Sequence, residues 1–445
     1  MGKTDGKTTG VMYERSTGRK VLGAIGVIGA IALSLLIGVA VAVIVFMAVA
    51  VVLPERVAMY AGSVLAGVAV AYGVSLALLA GTRRRRVRGA SWSRRTATSD
   101  GTAGITAAVL GVAVITLSIP LHSGAQSLDA PEATQYAELS TGSRVAWWKT
   151  EAASDSGQPP IVFLHGGPGY CVCGSMELFD RLAAEEGRDV YYFDQPGAGF
   201  SDMLPADQYS IARLLDDLEA FRSEVVEEET IALLGHSFGG FYAEAYASAH
   251  PQSVEKIALV APGGYSRGGL SEEEVDEMPA PPAQPEDDFG AHSTAGVLAE
   301  VKMLVAALLM DVSPQAAVAF MPQREILDVS ATMLGTTAGM NVLANVLVTS
   351  SSEAIADAVL DHVAETAIPT LIVRPEFDYV PWVEPRSYRD ANPNAVVVFA
   401  PKAAHQSVDR EDEVVYEPVR AFFAGEAAAE VYTGEEDPYF FYRGE

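Results

Sequence analysis

Apolar residues dominate the first part of the chain. Two uncharged runs cover residues 21–53 and 57–80, and a weaker apolar run covers residues 103–121. A helix needs about 20 predominantly apolar residues to cross the hydrocarbon core of a bilayer. The pattern therefore predicts a membrane region at residues 21–121 with three transmembrane helices, preceded by a polar N-terminus at residues 1–20.

Basic residues flank these runs unevenly. Five Lys and Arg residues precede the first run, one lies between the first and the second, and seven lie between the second and the third. Because cytoplasmic loops carry the excess of basic residues, we predict that the N-terminus and the arginine-rich loop are cytoplasmic. Everything that follows three spans is then outside the cytoplasm.

Two alternatives to this topology stay open. The C-terminal part of the chain would be cytoplasmic if residues 103–121 did not cross the membrane. In addition, the small residues Ser123, Gly124 and Ala125 would suit cleavage by a signal peptidase after an internal signal.

The pattern changes after a polar linker at residues 122–133. Short apolar runs, typical of buried strands, now alternate with amphipathic helical patterns. The predicted strands cover residues 135–139, 144–149, 161–164, 190–193, 231–234, 257–260, 370–373 and 396–400. This alternation predicts an α/β fold, a mostly parallel sheet with helices on both faces, and we assign it to a domain at residues 134–425.

The alternation is interrupted between residues 263 and 367. Prolines and an acidic run are followed there by three long helical patterns, at residues 293–310, 323–348 and 353–366. We interpret this stretch as an inserted helical lid over the active site. The last residues, 426–445, form an acidic tail rich in aromatic side chains, which either packs on the domain or binds a partner.

One turn in the middle of the α/β domain carries a candidate nucleophile. An apolar strand leads into Gly235-His236-Ser237-Phe238-Gly239, and a helical pattern follows. G-x-S-x-G between a strand and a helix is the nucleophile elbow, in which a strained serine is raised above the edge of the sheet. Side chains two positions either side of the serine would collide with the neighbouring strand or helix. We therefore predict that Ser237 is the catalytic nucleophile.

A glycine-rich loop, HGGPG at residues 165–169, follows the third predicted strand. Because glycines have no side chains, the backbone N–H groups of such a loop can approach an oxygen on which negative charge develops. The loop therefore predicts an oxyanion hole, formed by the N–H groups of Gly167 and Phe238.

Two candidate acid–base residues follow later strands. Asp378 comes after the strand at residues 370–373, and His405 comes after the last strand. Both would lie at the carboxyl edge of the sheet, where functional side chains of open α/β sheets gather. The order Ser237, Asp378, His405 is that of a Ser-His-Asp triad on such a sheet. His405 would move the serine proton and Asp378 would stabilise the imidazole, with Glu376 as the competing acid.

Other residues near these motifs have structural interpretations. His165 and His236 lie inside the two glycine motifs, and we expect them to orient the backbone rather than to transfer protons. Cys171 and Cys173 lie beside the oxyanion loop. They either pack as ordinary side chains or form a tight disulfide.

Composition excludes several classes of partner and cofactor. Residues 1–125 carry 13 Lys and Arg against 4 Asp and Glu, whereas residues 126–445 carry 17 against 53. The acidic part would repel phosphates, so we expect no nucleic-acid binding. Two cysteines cannot build a disulfide framework or a zinc cluster. The predicted chemistry needs no cofactor and no metal.

Two motifs resemble those of one known family. The HGGPG loop at residues 165–169 and DQPGAGFS at residues 194–201 are similar to the HGGPG and DQxGxGxS motifs of the proline iminopeptidases. The resemblance implies an α/β-hydrolase fold with a helical lid and a serine aminopeptidase that releases N-terminal residues, often proline. This chain departs from the family at His236 and Phe238, where G-G-S-W-G is usual, and at Pro196, where arginine is usual. These departures move towards a general esterase pattern.

The leading prediction is a membrane-anchored serine hydrolase that works through an acyl-enzyme. It would be an aminopeptidase of the prolyl type that acts on short peptides outside the cytoplasm. The alternative is a carboxylic-ester hydrolase, for which a nearby membrane would be useful. A third class is a membrane-anchored binding protein that keeps the fold without catalysis. The expected partners are a small peptide or ester substrate and, through the N-terminal helices, the lipid bilayer.

Overall fold

The computed structural model describes residues 8–53, 55–83, 92–118, 130–154, 156–172, 176–263, 294–310, 313–321, 323, 341–408, 412–428 and 431–434. Several predictions fall outside the described residues: those for the start of the N-terminus, the arginine-rich loop, most of the linker, Cys173, parts of the lid and the end of the tail. The chain divides into two compact units. One combines Met1–Pro120 with Leu298–Pro322, and the other combines Leu121–Val297 with Gln323–Glu445.

The described part of the chain contains the following helices and strands. The helices are α1 (Thr8–Val52), α2 (Arg56–Arg83), α3 (Trp92–Ser118), α4 (Met176–Glu186), α5 (Ile211–Phe221), α6 (Phe238–Ala249), α7 (Thr294–Met310), α8 (Pro314–Phe320), α9 (Val342–Glu353), α10 (Ala356–Thr366), α11 (Val383–Ala391) and α12 (Glu413–Ala424). The strands are β1 (Gln135–Glu138), β2 (Arg144–Thr150), β3 (Ile161–Leu164), β4 (Val190–Phe193), β5 (Ile231–His236), β6 (Val254–Val260), β7 (Thr370–Phe377) and β8 (Ala395–Ala404).

The first unit contains three helices that are long and apolar enough to cross a bilayer. They are Ile25–Val52, Arg56–Leu78 and Thr98–Ser118, and they coincide with the three predicted apolar runs. Large apolar side chains face outward from them: Ile28 is 65% exposed and Leu36 is 69% exposed. A helix that is apolar on all sides is suited to hydrocarbon surroundings rather than to water.

An eight-stranded sheet forms the centre of the second unit. Its order is β1-β2-β4-β3-β5-β6-β7-β8. β1 and β2 pair antiparallel, as do β2 and β4, and all other pairs are parallel. Every residue of β3, β4 and β5 is buried, because helices cover both faces of a parallel sheet. The predicted α/β class and mostly parallel sheet are confirmed.

The parallel register determines where the connecting loops emerge. Leu164 at the end of β3 pairs with Gly235 near the end of β5, and His236 pairs with Val260 at the end of β6. β7 and β8 continue the parallel order. The loops that follow these strands therefore leave the sheet at one edge, where an open α/β sheet binds its ligands.

The predicted lid is divided between the two units. α8 and most of α7 group with the three long apolar helices of the first unit. Arg56 donates from Nε to the carbonyl oxygen of Ala319 (2.9 Å) and from Nη2 to that of Phe320. The Phe320 ring lies 6.2 Å from the Phe46 ring and 6.4 Å from the Tyr60 ring. A cation near the C-terminal carbonyls of a helix is stabilising, and these contacts join α8 to the other helices of the first unit.

The lid helices α9 and α10 belong to the second unit. The Ile211 N–H of α5 donates to Ser351 Oγ of α9 (2.8 Å), and Ser248 Oγ of α6 donates to the Val359 carbonyl oxygen of α10 (3.4 Å). By length and composition alone, α9 and α10 would also suit a membrane span bent by 63°. Their contacts with α5 and α6 are those of a covering layer on the α/β domain.

One buried carboxyl group makes stability depend on pH. Glu244 of α6 is 2% exposed and lies 3.5 Å from Thr370 Oγ1. Burial raises the pKa of Glu244 from 4.5 to about 8. Between these pH values the unfolded state loses the proton and the folded state keeps it, so the free energy of unfolding falls as pH rises.

We predict that Glu244→Gln stabilises the protein by up to about 3–4 kcal/mol at pH 7 to 8, because the folded and unfolded states differ there by about 2.5 to 3 pKa units and one unit corresponds to about 1.4 kcal/mol. The gain in Tm over wild type should shrink towards pH 5. Thermal unfolding of the full-length protein in detergent, followed by fluorescence between pH 5 and pH 8, measures it. Glu229→Gln changes an exposed carboxyl group and is the control. A Tm difference for Glu244→Gln that does not grow with pH would contradict the prediction.

Candidate active site

Ser237 occupies a strained turn between β5 and α6. Its φ of 54° and ψ of −124° lie outside the regions that L residues usually adopt. A Cβ atom on Gly235 would overlap the backbone of Gly239, and a Cβ atom on Gly239 would overlap the carbonyl group of Leu164. Backbone segments approach too closely here for side chains, as expected from the sequence. The turn is tied to β6 by the Ser237 N–H, which donates to the Val260 carbonyl oxygen (3.0 Å).

The HGGPG loop at residues 165–169 passes directly against the serine. A Cβ atom on Gly166 would lie 2.8 Å from Ser237 Cβ and 3.4 Å from Ser237 Oγ. Within the described residues, the N–H groups of Gly167 and Phe238 donate to no other backbone group of a turn, loop or cap. Phe238 also begins α6, whose N-terminus carries a partial positive charge. The geometry leaves both groups free to act as oxyanion donors, and that role stays a prediction.

His405 and Asp378 meet at the same edge of the sheet. His405 Nδ1 lies 2.7 Å from Asp378 Oδ1, and both side chains are buried. Because a carboxylate only accepts, Nδ1 carries the proton and Nε2 is the basic nitrogen. The competing acid, Glu376, accepts a hydrogen bond from the backbone N–H of Lys402 instead (2.7 Å). Of the two candidate acids, Asp378 is therefore the one that contacts His405.

A buried arginine, which the sequence analysis did not single out, supports this carboxylate. Arg374 is 2% exposed, and its Nη1 lies 2.8 Å from Asp378 Oδ2 and donates to the Val380 carbonyl oxygen (2.8 Å). The Val380 N–H donates back to Asp378 Oδ1 (3.0 Å). A lone charge at the end of an apolar strand, four residues before the predicted acid, is the signal that could have revealed it.

An aromatic side chain covers the histidine. The Tyr379 ring centroid lies 4.1 Å from that of His405, and the side chain is 63% exposed. Among the described contacts no hydrogen bond joins Ser237 Oγ to His405; the serine hydroxyl interacts with the Tyr379 side chain instead. The position of Tyr379 next to Asp378 in the sequence gave no separate signal of this contact.

The two histidines of the glycine motifs bind backbone groups. His165 Nδ1 donates to the Gly166 carbonyl oxygen (2.8 Å), and its Nε2 accepts from the Gln195 N–H (2.9 Å). His236 Nε2 donates to the carbonyl oxygen of His405 (2.7 Å). Burial lowers the pKa of His165 to about 4 and that of His236 to about 3. Both are neutral near pH 7, and their contacts fit the expected role in orienting the backbone.

A buried aspartate joins the two glycine-rich loops. Asp194 accepts from the Val172 N–H (2.8 Å) and the Phe200 N–H (2.9 Å). A Cβ atom on Gly199 would overlap its carboxylate, which is why this turn needs glycine. Burial raises the pKa of Asp194 to about 7. The loop at residues 194–201 is thereby fixed beside the chain that follows the HGGPG loop.

The cysteine that follows the HGGPG loop takes part in a disulfide. Cys171 is disulfide-bonded, whereas Cys173, the other cysteine of the sequence, lies outside the described residues. Among the described residues, no group of three or more His, Cys, Asp and Glu side chains is arranged to hold a metal ion.

Comparison with known proteins identifies relatives of this domain. The proline iminopeptidase of Lactobacillus helveticus (strain DPC 4571) is 36% identical over 108 residues, which are 23% of this chain and 36% of that protein. The proline iminopeptidase of Saccharolobus solfataricus is 37% identical over 127 residues, which are 27% of this chain and 39% of that protein. The chain thus matches less than half the length of these curated relatives.

A solved structure and a protein family also match. The crystal structure of a proline iminopeptidase from Mycobacterium smegmatis is 20% identical, with a TM-score of 0.46, and covers 66% of this chain and 98% of that chain. Residues 159–408 match a protein family whose description is alpha/beta hydrolase fold. The match covers more than half of the 445 residues. This chain therefore belongs to the alpha/beta hydrolase fold family.

Proposed function

We propose that this protein is a membrane-anchored serine hydrolase in which Ser237, His405 and Asp378 form the catalytic triad. One observation carries the proposal. The 2.7 Å contact between His405 and Asp378 lies at the sheet edge onto which the elbow projects Ser237, and the glycine loop at residues 165–169 runs against that serine. A binding protein that had lost catalysis would have no need of this combination.

The proposed mechanism proceeds through an acyl-enzyme. Ser237 Oγ attacks the substrate carbonyl carbon while His405 Nε2 takes the hydroxyl proton. The imidazolium, stabilised by Asp378, gives that proton to the leaving amine or alkoxide as the scissile bond breaks. Water then attacks the acyl-enzyme with His405 as base, which releases the acid and restores the serine. The N–H groups of Gly167 and Phe238 stabilise the oxyanion of each tetrahedral intermediate.

For the substrate, we propose short peptides from which an N-terminal residue, proline above all, is released. The HGGPG and DQPGAGFS motifs support this class, and two relatives with 36% and 37% identity are proline iminopeptidases. A carboxylic-ester hydrolase is the second candidate. It is favoured by His236 and Phe238, at which the elbow departs from the G-G-S-W-G of the proline iminopeptidases towards a general esterase pattern.

We further propose that the catalytic domain is outside the cytoplasm. Five Lys and Arg residues precede the first apolar run and seven lie between the second and the third, whereas one lies between the first and the second. Because cytoplasmic loops carry the excess of basic residues, three spans would place the N-terminus in the cytoplasm and the α/β domain outside it. The disulfide at Cys171 supports an oxidising compartment.

The nucleophile is tested by replacing one hydroxyl group. We expect Ser237→Ala to reduce kcat at least about 1,000-fold, because the residual rate comes from the oxyanion hole and binding alone. Hydrolysis of proline p-nitroanilide and of p-nitrophenyl acetate by the full-length protein in detergent measures both candidate activities. Ser248→Ala removes a hydroxyl near the other end of α6, where it bonds to Val359, and should leave turnover unchanged.

The outcomes of this experiment separate the candidate functions. Serine-dependent turnover of the anilide supports the aminopeptidase, and serine-dependent turnover of the ester alone supports the ester hydrolase. Turnover that survives Ser237→Ala, or the absence of turnover of both substrates together with failure of a fluorophosphonate to label Ser237, would contradict the proposal of a serine hydrolase.

The acid is tested with two neighbouring carboxyl groups. We expect Asp378→Asn to lower kcat by roughly 10⁴-fold, because an amide at this position favours the wrong tautomer of His405. Glu376→Gln is the matched control, since that carboxylate contacts the Lys402 backbone and not the histidine. Steady-state kinetics with the better substrate compare the two. Equal losses in both variants would show that Asp378 has no special role.

Topology is tested by labelling introduced cysteines in intact cells. We expect Glu229→Cys, in the α/β domain, to react with a membrane-impermeant maleimide, and Ser91→Cys, in the arginine-rich loop, to react only after permeabilisation. The wild-type protein is the control, because its Cys171 is disulfide-bonded and should not react. The reverse pattern would mean that the domain faces the cytoplasm.

A further inference from the structure

The lid helix α9 begins against both glycine-rich loops. The backbone N–H of Asn341 donates to the Gly169 carbonyl oxygen (2.8 Å), and its side-chain Nδ2 donates to the Gly197 carbonyl oxygen (3.1 Å). Asn341 Oδ1 caps the helix by accepting from the Ala344 N–H (3.2 Å). Asn341 is fully buried. The N-terminus of α9 is therefore fastened to the catalytic edge rather than merely lying above it.

One turn further along α9, a second asparagine contacts the HGGPG loop at residues 165–169. Asn345 Nδ2 donates to the carbonyl oxygen of Gly167 (2.6 Å) and to that of Pro168 (3.1 Å). A side-chain amide nitrogen carries two hydrogens, so both of its donors are used on consecutive carbonyl groups. The side chain is half-buried.

This contact restrains the second of the two peptide groups that flank the Gly167 Cα. Gly167 has a φ of 120°, which glycine adopts readily and other residues rarely do. Its neighbour Pro168 has no N–H with which to bind another group. The first peptide group, which carries the Gly167 N–H, is held through the Gly166 carbonyl oxygen by His165 Nδ1 (2.8 Å), so the direction of that N–H depends on both restraints. Oxyanion donors are effective only when they are held in place before the charge develops.

We infer that Asn345 is a positioning residue for the oxyanion hole, and that through it the lid helix α9 controls the alignment of the Gly167 N–H with Ser237. The inference rests on the proposed function, because it assigns Gly167 a catalytic role. Asn345 holds the Gly167 and Pro168 carbonyl groups, and together with His165 on the Gly166 carbonyl group it restrains the peptide groups on both sides of the Gly167 Cα. A lid conformation that moved Asn345 away would leave substrate binding intact and the oxyanion donor misaligned.

The test compares variants of Asn345 that differ in whether the side chain can donate hydrogen bonds to the Gly167 and Pro168 carbonyl groups. Asn345→Asp keeps the shape of the side chain but replaces the donor with an acceptor that faces two carbonyl oxygens. Asn345→Ala removes the group altogether. Asn394→Ala is the matched control, since Asn394 Nδ2 also donates to a backbone carbonyl, that of Ala367 (2.6 Å), in an exposed position. All are studied as full-length proteins in detergent, with the substrate that wild type hydrolyses.

We expect both Asn345 variants to lower kcat by about 10- to 100-fold with KM changed by less than about threefold, because loss of a complete oxyanion donor costs 10²–10³ in kcat. Affinity for a boronic acid that forms a tetrahedral adduct with the serine should fall by a similar factor. The Asp variant should be at least as impaired as the Ala variant. Asn394→Ala should match wild type in all three measurements.

Two results would overturn the inference. One is wild-type kcat in Asn345→Asp, which would mean that the side chain only fills space. The other is a fall in Tm with no separation of kcat from KM and no loss of boronate affinity, which would indicate a purely structural role. Failure of the proposed function is recognised separately, because turnover and boronate binding would then survive in Ser237→Ala.

Discussion

The close approach of backbone segments around Ser237 is the constraint on which the rest of the site depends. The serine can be held at positive φ above the sheet only because Gly235, Gly239 and Gly166 have no side chains to occupy the same space. Strain of this kind persists only where the surroundings determine the conformation. The fully buried strand β5 and the parallel register on either side provide that support. The partly exposed Ser237 is thus presented by a turn whose neighbouring strand is fully buried.

The ionisable side chains around this turn are either paired with partner groups or kept neutral by burial. Asp378 is buried, yet it is contacted by His405, by the Val380 N–H and by the Arg374 guanidinium group, so the cost of removing it from water is offset. His165 and His236 are kept neutral by burial and bind backbone groups. Under the proposed function, this division leaves His405 to transfer protons and the other two histidines to hold loops in position.

The helical insertion is divided between the two units. One part of it packs on the long apolar helices of the first unit, through Arg56 and Phe320. Another part, α9, binds carbonyl groups of the HGGPG loop through Asn345. The insertion therefore makes specific contacts within each unit.

The sequence by itself determined the elements and their order: three apolar helices, a mostly parallel sheet, and an elbow at Ser237. Periodicity and glycine spacing are local properties, and they could be recognised without knowledge of the fold. Only the tertiary structure showed that Asp378 rather than Glu376 contacts His405 and that Arg374 lies beside Asp378. It also showed that the helical insertion is divided between two units and that Asn345 binds the HGGPG loop. These contacts join side chains whose separation in the sequence carries no periodic signal. They depend on strand order, register and helix packing, because each becomes possible only after the chain has folded.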